Sequence, residues 1–524
     1  MSIAPLRSIR PLTTAGQPIP LWVAAVLVIA AGPVMDAGFP DRDFWPLTLV
    51  GVAMYLVAFR ARSVRASLLL GIAGGLAFYL THIQWASLFL GLVPMTALST
   101  LESLFFGAGA VAITLAYRWV PRVWPTPLGT LALLPVVIAG LWTAREAWAS
   151  VWPYGGFAWG RVALSQSEGP FAPLFGWIGV SGVSFVMVAL VAVVIELVRW
   201  VGNAQLGRAA RAAIAVGLAC IILALPAWPA PTDGTMTVLA IQSNSKAGYF
   251  DERTRGDLLR SSLDATGPFI ADGTEADVVV WPEGGSDSSP LSDPATARAF
   301  DAVSEAFDAP FVSWAVTERE GRIYNSSILW KAGEGAVDLY DKKHPVPFGE
   351  YVPDRAFWRP FAPDLIDLIG REYTPGTTDA VFDLGNGVLA GINICFDITD
   401  DQLMTEAVEQ GAQLIFAQSN NADFGRTDES VQQLAIARIR AIELGRTVVN
   451  ISTVGTSAII GPDGSTIDQL EWFTADGMLA EVPLASAVTP AVLFGRQIEW
   501  GVSIFSLSAL VAAAWLARPR SPRG

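Results

Sequence analysis

Val278-Val279-Val280-Trp281-Pro282-Glu283 reads as a short strand, apolar on both faces, that stops at Pro282 and presents Glu283 at its carboxyl end. A second run of the same form, Gly391-Ile392-Asn393-Ile394-Cys395 within the strand expected at 388–395, presents a single thiol. Around these two, further β-rich runs are expected at 236–242, 311–317, 325–330, 413–417, 447–452 and 456–460. Helices are expected near 252–263, 294–307, 400–411 and 428–445. Such alternation over 231–487 predicts a layered α/β domain large enough for its own core. The recurrence of strand pairs and helix pairs fits a pseudo-symmetric sandwich.

Outside this block the composition changes. Of the 524 residues, 52% are hydrophobic and 16% charged, and a mean hydropathy of +0.44 is too high for one water-facing core. Crossing a bilayer takes about 20 apolar residues. Seven stretches before residue 231 qualify, at roughly 21–38, 43–60, 66–83, 93–117, 127–144, 172–198 and 212–229, and an eighth lies at roughly 498–517. The expected organisation is a transmembrane bundle over 1–230, the α/β domain over 231–487, and an eighth span with a basic tail over 488–524. The first span is expected to stay as an anchor, because further spans follow it in place of a cleavage site.

Arginine placement sets the expected orientation. With a cytoplasmic N-terminus, the inner loops and ends hold Arg7, Arg10, Arg60, Arg62, Arg65, Arg118, Arg122, Arg199, Arg208, Arg211, Arg518, Arg520 and Arg523, against Arg42, Arg145 and Arg161 outside. Both termini then lie inside and the α/β domain lies on the outer face. That domain carries 17 Lys and Arg against 40 Asp and Glu, which argues against a nucleic-acid partner. The loop 145–171 holds Trp148, Trp152, Tyr154, Phe157 and Trp159, which read either as an aromatic belt or as the wall of a lipid-entry cleft. Apart from Glu102 and Glu196, near span ends, no ionisable pair is expected deep in the spans, and a proton-coupled transporter would need more.

Between the two strand ends runs Tyr340-Asp341-Lys342-Lys343-His344-Pro345-Val346-Pro347-Phe348-Gly349-Glu350-Tyr351-Val352-Pro353, whose prolines rule out a regular helix. Taken singly, Cys395 reads as a small buried hydrophobe, Glu283 as a loop acid or cap, and the Lys pair as surface charge. Together they supply the parts of thiol chemistry: a base for the proton, a cation for the charge that develops, and the nucleophile. Two Cys (Cys220, Cys395) and two His (His82, His344) are too few for a Cys/His metal cluster, so no metal and no cofactor are expected.

Strand-Trp281-Pro282-Glu283, Tyr340-x-Lys342 with its downstream Pro-Phe-Gly-Glu, and strand-Cys395 together resemble the carbon-nitrogen hydrolase (nitrilase) superfamily. The string Val346-Pro347-Phe348-Gly349-Glu350-Tyr351-Val352-Pro353, with seven spans before it and one after, resembles the membrane-integrated apolipoprotein N-acyltransferase family. The likeness extends to Gly156-Phe157-Ala158-Trp159, Gln242, Asn244, residues 419–425, Arg438-x-Arg440-Ala441-x-Glu443-x-Gly445-Arg446, and residues 453–457. It implies an αββα sandwich outside the bacterial inner membrane, seated on an eight-helix transmembrane bundle.

The resemblance also implies two-step acyl transfer. Cys395 would take a fatty acyl chain from a phospholipid as a thioester, with Glu283 as general base. Lys342 rather than Lys343 would stabilise the oxyanion, because it lies eight residues before Glu350 as the family's lysine does, and Glu350 would hold the lysine. The acceptor would be the N-terminal S-diacylglyceryl-cysteine of an apolipoprotein. Phe396 and Asp397 stand where the family commonly has Tyr and Glu, Phe250 or Tyr249 replaces a Trp, Pro345 a Leu, and Ala158 a Pro.

A lipid donor accounts for the bundle. Each buried CH₂ is worth about 0.8 kcal/mol, so a two-chain lipid stays in the bilayer and the site must come to it. A covalent thioester lets the two bulky substrates bind in turn. The apolar run Phe357-Trp358-Arg359-Pro360-Phe361 and its continuation to Ile369 read either as a packed surface loop or as an arm dipping into the outer leaflet. Phe250, Phe357, Trp358, Phe361 and Trp159 form the expected lipid-access set. Two other readings stay open: a membrane-tethered amidase, against which seven preceding spans argue, and a non-catalytic scaffold, against which the intact Glu, Lys and Cys argue. A monomer is expected, because the bundle obstructs the pairing common among nitrilase-type domains.

Overall fold

The computed structural model describes residues 19–199 and 208–518. Arg7, Arg10, Arg520, Arg523 and the side chain of Arg208 lie outside the described residues. The amino-terminal part contains α1 (Leu21–Asp36), α2 (Pro46–Phe59), α3 (Val64–His82), α4 (Leu92–Val123), α5 (Gly129–Ala149), α6 (Phe175–Arg199) and α7 (Arg208–Leu223). α7 stops before the expected 229 because Pro226 and Pro229 cannot continue it.

Two six-stranded sheets follow, in the orders β12-β1-β2-β3-β4-β5 and β11-β10-β9-β8-β7-β6. The first contains β1 (Gly234–Gln242), β2 (Val278–Val280), β3 (Phe311–Arg319), β4 (Arg322–Lys331), β5 (Gly335–Asp341) and β12 (Asp476–Leu484). The second contains β6 (Val381–Gly385), β7 (Val388–Ile394), β8 (Leu414–Ser419), β9 (Thr447–Ser452), β10 (Ala458–Ile460) and β11 (Thr466–Gln469). Each sheet has a parallel centre, β1-β2-β3 or β7-β8-β9, flanked by antiparallel strands in the same pattern. The pseudo-symmetry expected from the sequence is therefore present. β5, β6, β11 and β12 were not legible as apolar runs, because they are edge or near-edge strands with polar faces.

Strand alternation divides the core. Val238, Ala240, Val278 and Val280 join Ile392 and Ile394 in one buried cluster. Leu239, Ile241, Val279 and Trp281 pack with Phe300 and Phe307 of α9 (Pro294–Phe307), beside α8 (Asp257–Ala271). On the second sheet lie α10 (Asp401–Glu409) and α11 (Asp428–Leu444). The last helix, α12 (Pro490–Leu516), starts earlier than the expected 498, where Thr489 Oγ1 caps the Val492 amide at 3.2 Å.

Five helices, α3, α4, α5, α6 and α12, are long and apolar enough to cross a membrane. α1, α2 and the stretch Arg211–Cys220 of α7 are apolar but shorter. The 14 residues of α2 rise only ~21 Å, against ~30 Å of hydrocarbon. Among the described residues, helices thus lie near each of the expected spans, but only five of them meet the length for a crossing.

Two arginines expected in outer loops are buried and paired, not exposed charges. Arg145 is buried in α5 with its guanidinium 4.7 Å from the Phe106 ring and 4.9 Å from the Trp142 ring. Arg161 is buried against the α/β domain, where its guanidinium makes a two-pronged ion pair with Asp401, at 2.6 and 2.8 Å. Both charges answer to packing partners and say nothing about orientation.

α11 is buried along nearly its whole length, because β9 and β10 cover one side and α6 and α12 the other. A helix enclosed in this way must pair every charge it carries. Arg440, 1% exposed, donates to Asp401 at 2.6 Å, to Glu443 at 2.5 Å, and to the carbonyls of Ile398 and Thr399 at 2.9 Å each. Glu443 in turn accepts from the Val180 amide at 3.0 Å, which is freed at a break in α6 where Gly179 has φ +67. Replacing Arg440 with Met keeps the volume but strands Glu443 and two carbonyls. The variant should lose about 3 kcal/mol, read as a lowered thermal midpoint of the full chain in detergent.

Candidate active site

Glu283 follows β2, Lys342 follows β5 and Cys395 follows β7, and the sandwich brings all three to one place. Asn325, inside β4, is the joint. Its Nδ2 donates to Glu283 Oε1 at 2.8 Å and to Glu350 Oε1 at 2.7 Å, while its Oδ1 accepts from Trp314 Nε1 at 2.5 Å. Its carbonyl accepts from the Lys342 amide at 2.8 Å. The other Glu350 oxygen takes the Lys342 ammonium at 2.8 Å and the Val346 amide at 2.6 Å. Lys343 instead points to Glu406, 3.6 Å away.

Cys395 opens a turn with φ +52, a left-handed conformation uncommon for a side chain of this kind, and its thiol neighbours the Glu283 carboxyl. Burial pushes the Glu283 carboxyl up to about 7; Lys342 opposes the rise and Glu350 adds to it. Burial alone would lower the Lys342 ammonium, but Glu350 and Glu283 outweigh it and hold it above its ordinary value. Burial, with Glu283 beside it, raises the Cys395 thiol well above the usual thiol range. The cluster therefore holds a charged lysine, a thiol that stays protonated at rest, and a carboxyl poised to exchange a proton near neutrality.

The two residues after the thiol have distinct places. Phe396 lies nearly parallel to Trp159 (6.2 Å, 4°) and Phe157 (6.2 Å, 12°), so a wall contributed by the bundle reaches the nucleophile. No phenol hydroxyl is needed for that contact. Asp397, fully buried, accepts from Tyr340 Oη at 2.8 Å and from the His344 amide at 3.2 Å, and so ties the chain on both sides of Lys342 to the thiol's own turn.

Residues 230–489 match the carbon-nitrogen hydrolase family, and residues 31–194 match the apolipoprotein N-acyltransferase N-terminal domain. An apolipoprotein N-acyltransferase of Mycolicibacterium smegmatis is 31% identical over 519 residues, covering 93% of this chain and 84% of that one. The chain belongs to the apolipoprotein N-acyltransferase family. Proteins of the same name from Azotobacter vinelandii (27% over 525 residues, 96% of this chain and 97% of that one) and Vibrio parahaemolyticus (24% over 510 residues, 92% and 95%) are also similar. The chain is thus an N-acyltransferase with several helices long and apolar enough to cross a membrane.

Of the residues expected to admit lipid, Trp159 packs on Phe396, next to Cys395, and is buried. Phe250 is exposed, its ring 4.9 Å from Tyr249 and 5.9 Å from Phe89. Phe357 and Phe361 are exposed on an arm whose Trp358 packs on Phe348 (5.7 Å), two residues before Glu350 in the lysine loop. The arm is tied back by Arg355, which donates to the carbonyls of Ile366 and Ile369 at 2.9 and 2.6 Å, and by the Arg359–Asp367 pair at 2.7 Å.

Sequence reasoning missed Asn325, and also Gln433, whose Nε2 lies 3.8 Å from Cys395 Sγ. The signal for the first was an amide inside a strand, where Asn is unfavourable without a partner. Removing the Asp397 carboxylate as Asp397→Ala should leave the buried Tyr340 hydroxyl hydrogen without its acceptor and cost about 2 kcal/mol. In a Tyr340→Phe background the same change should cost less, a coupling measurable by comparing the unfolding midpoints of the four proteins.

Proposed function

We propose that this enzyme moves a fatty acyl chain from a phospholipid to Cys395, and from there to the α-amino group of the N-terminal S-diacylglyceryl-cysteine of an apolipoprotein. The buried convergence of Glu283, Lys342 and Cys395 from three distant stretches is what supports it. In the first half, the Cys395 proton passes to Glu283 as sulfur bonds to the ester carbonyl carbon. The Lys342 ammonium offsets the charge on the carbonyl oxygen, with Glu350 fixing its position. The carbon–oxygen bond then breaks, and the lysophospholipid leaves with the proton from Glu283. In the second half, Glu283 takes a proton from the amine as nitrogen attacks the thioester, and returns it to the departing sulfur.

A carboxyl at about 7 suits both directions of proton transfer. The arginines at the inner ends of the spans support an active site on the outer face of the cytoplasmic membrane. There the exposed apolar residues Phe250, Phe357 and Phe361 would meet lipid directly.

Mass spectrometry of the full chain with phospholipid should find a fatty-acyl adduct on Cys395, absent in Cys395→Ala and discharged by a diacylglyceryl-cysteine peptide. Hydrolysis without transfer would defeat the reading. Adduct formation should rise with pH through about 7, as Glu283 loses its proton, and should fall at least a hundredfold in Glu283→Gln.

Phe357→Ala with Phe361→Ala should slow adduct formation from vesicle phospholipid several-fold while leaving the thermal midpoint unchanged. Equal rates would remove the arm from lipid entry.

A further inference from the structure

Gln433 lies on α11, apart from the elements that bear Glu283 and Lys342, and its side chain is buried. Its Nε2 is 3.8 Å from Cys395 Sγ. Its neighbours fix that the nitrogen, and not the oxygen, faces the sulfur. Gln433 Oε1 accepts from Asn421 Nδ2 at 2.7 Å, and the second hydrogen of the same Nδ2 goes to Glu429 Oε2, also at 2.7 Å. Asn421 is held in that orientation because its Oδ1 accepts from Ser452 Oγ at 2.5 Å. A reversed Gln433 amide would set N–H against N–H in a buried site. One residue earlier, Gln432 Oε1 accepts from Trp159 Nε1 at 2.6 Å and Trp85 Nε1 at 3.2 Å, so indoles from the bundle lock this turn of α11.

We propose that Gln433 is a further catalytic residue, whose amide N–H donates to the Cys395 sulfur whenever that sulfur carries negative charge, and that Asn421 and Glu429 are its positioning residues. The inference rests on Cys395 being the nucleophile. When the thiol proton moves to Glu283, and again when the carbon–sulfur bond of the thioester breaks and its electron pair stays on sulfur, an N–H directed at the sulfur stabilises the anion more than the neutral thiol or thioester. Lys342 is committed to Glu350 and to the carbonyl oxygen, so the sulfur needs a donor of its own.

The test is the rate of Cys395 alkylation by iodoacetamide across pH in the full chain, in detergent with phospholipid. Exposed Cys220 is first replaced by Ser. The charged groups acting on the sulfur, Glu283, Lys342, Glu429 and Glu350, stay unchanged in every protein compared. Gln433→Met, similar in volume and without a donor, should raise the midpoint of the titration by about one unit and lower the rate below it about tenfold. Gln433→Leu, which also lacks a donor and adds no charge, should raise the midpoint as far, and decides the matter where the Met variant does not fold. Midpoints equal to that of the Gln433 protein overturn the proposal, as does a smaller reactive fraction at an unmoved midpoint, the mark of a purely structural role. A Cys395 that alkylates normally yet never forms an acyl adduct would instead refute the thioester reading, and the titration would still report on the hydrogen bond.

Discussion

A lysine ammonium 1% exposed to solvent is the constraint around which the site is built. Removed from water, such a charge persists only if carboxylates answer it, and Lys342 has Glu350 in contact and Glu283 close by. Two carboxylates near one ammonium would repel each other. Asn325 eases this by giving one amide hydrogen to each, and so fixes their separation through a β4 backbone that also holds the lysine's own amide. The elevated Glu283 carboxyl is a by-product of the arrangement: the lysine's charge is largely spent on Glu350, which leaves burial to dominate at Glu283.

The same logic recurs between the two parts of the chain. Arg161 from the bundle, Asp401 from α10, and Arg440 and Glu443 from α11 alternate in sign across the boundary, ending on a backbone amide at the break in α6. Because Arg440 also grips the carbonyls of Ile398 and Thr399, this network reaches the turn that begins at Cys395. The aromatic rings of Phe157, Trp159 and Phe396 make a second, apolar connection from bundle to nucleophile.

Much of this was legible in the sequence, for identifiable reasons. β2 is buried throughout and β7 over its last five residues, so they stand out as largely apolar runs, and their terminal Glu and Cys follow at once. The lysine loop announces itself by its prolines. The edge strands β5, β6, β11 and β12 were illegible because their exposure leaves no apolar signature. The burial of Arg145 and Arg161 was not legible, because a charge counted by its place in the chain carries no mark of the partner that buries it. Asn325 and Gln433 were hidden for a related reason: an amide's role depends on which atom faces which neighbour, and only the packed chain decides that.

The enclosure of α11 makes the protein indivisible. Gln432, Ile436 and Glu443 are satisfied by bundle residues, so excising residues 231–487 would strip the catalytic half of one wall and bare an oily, half-charged helix to water. Chemistry and location are in this sense a single property of the chain: the fold lends its reactive centre full structural support only where the membrane anchor is also present.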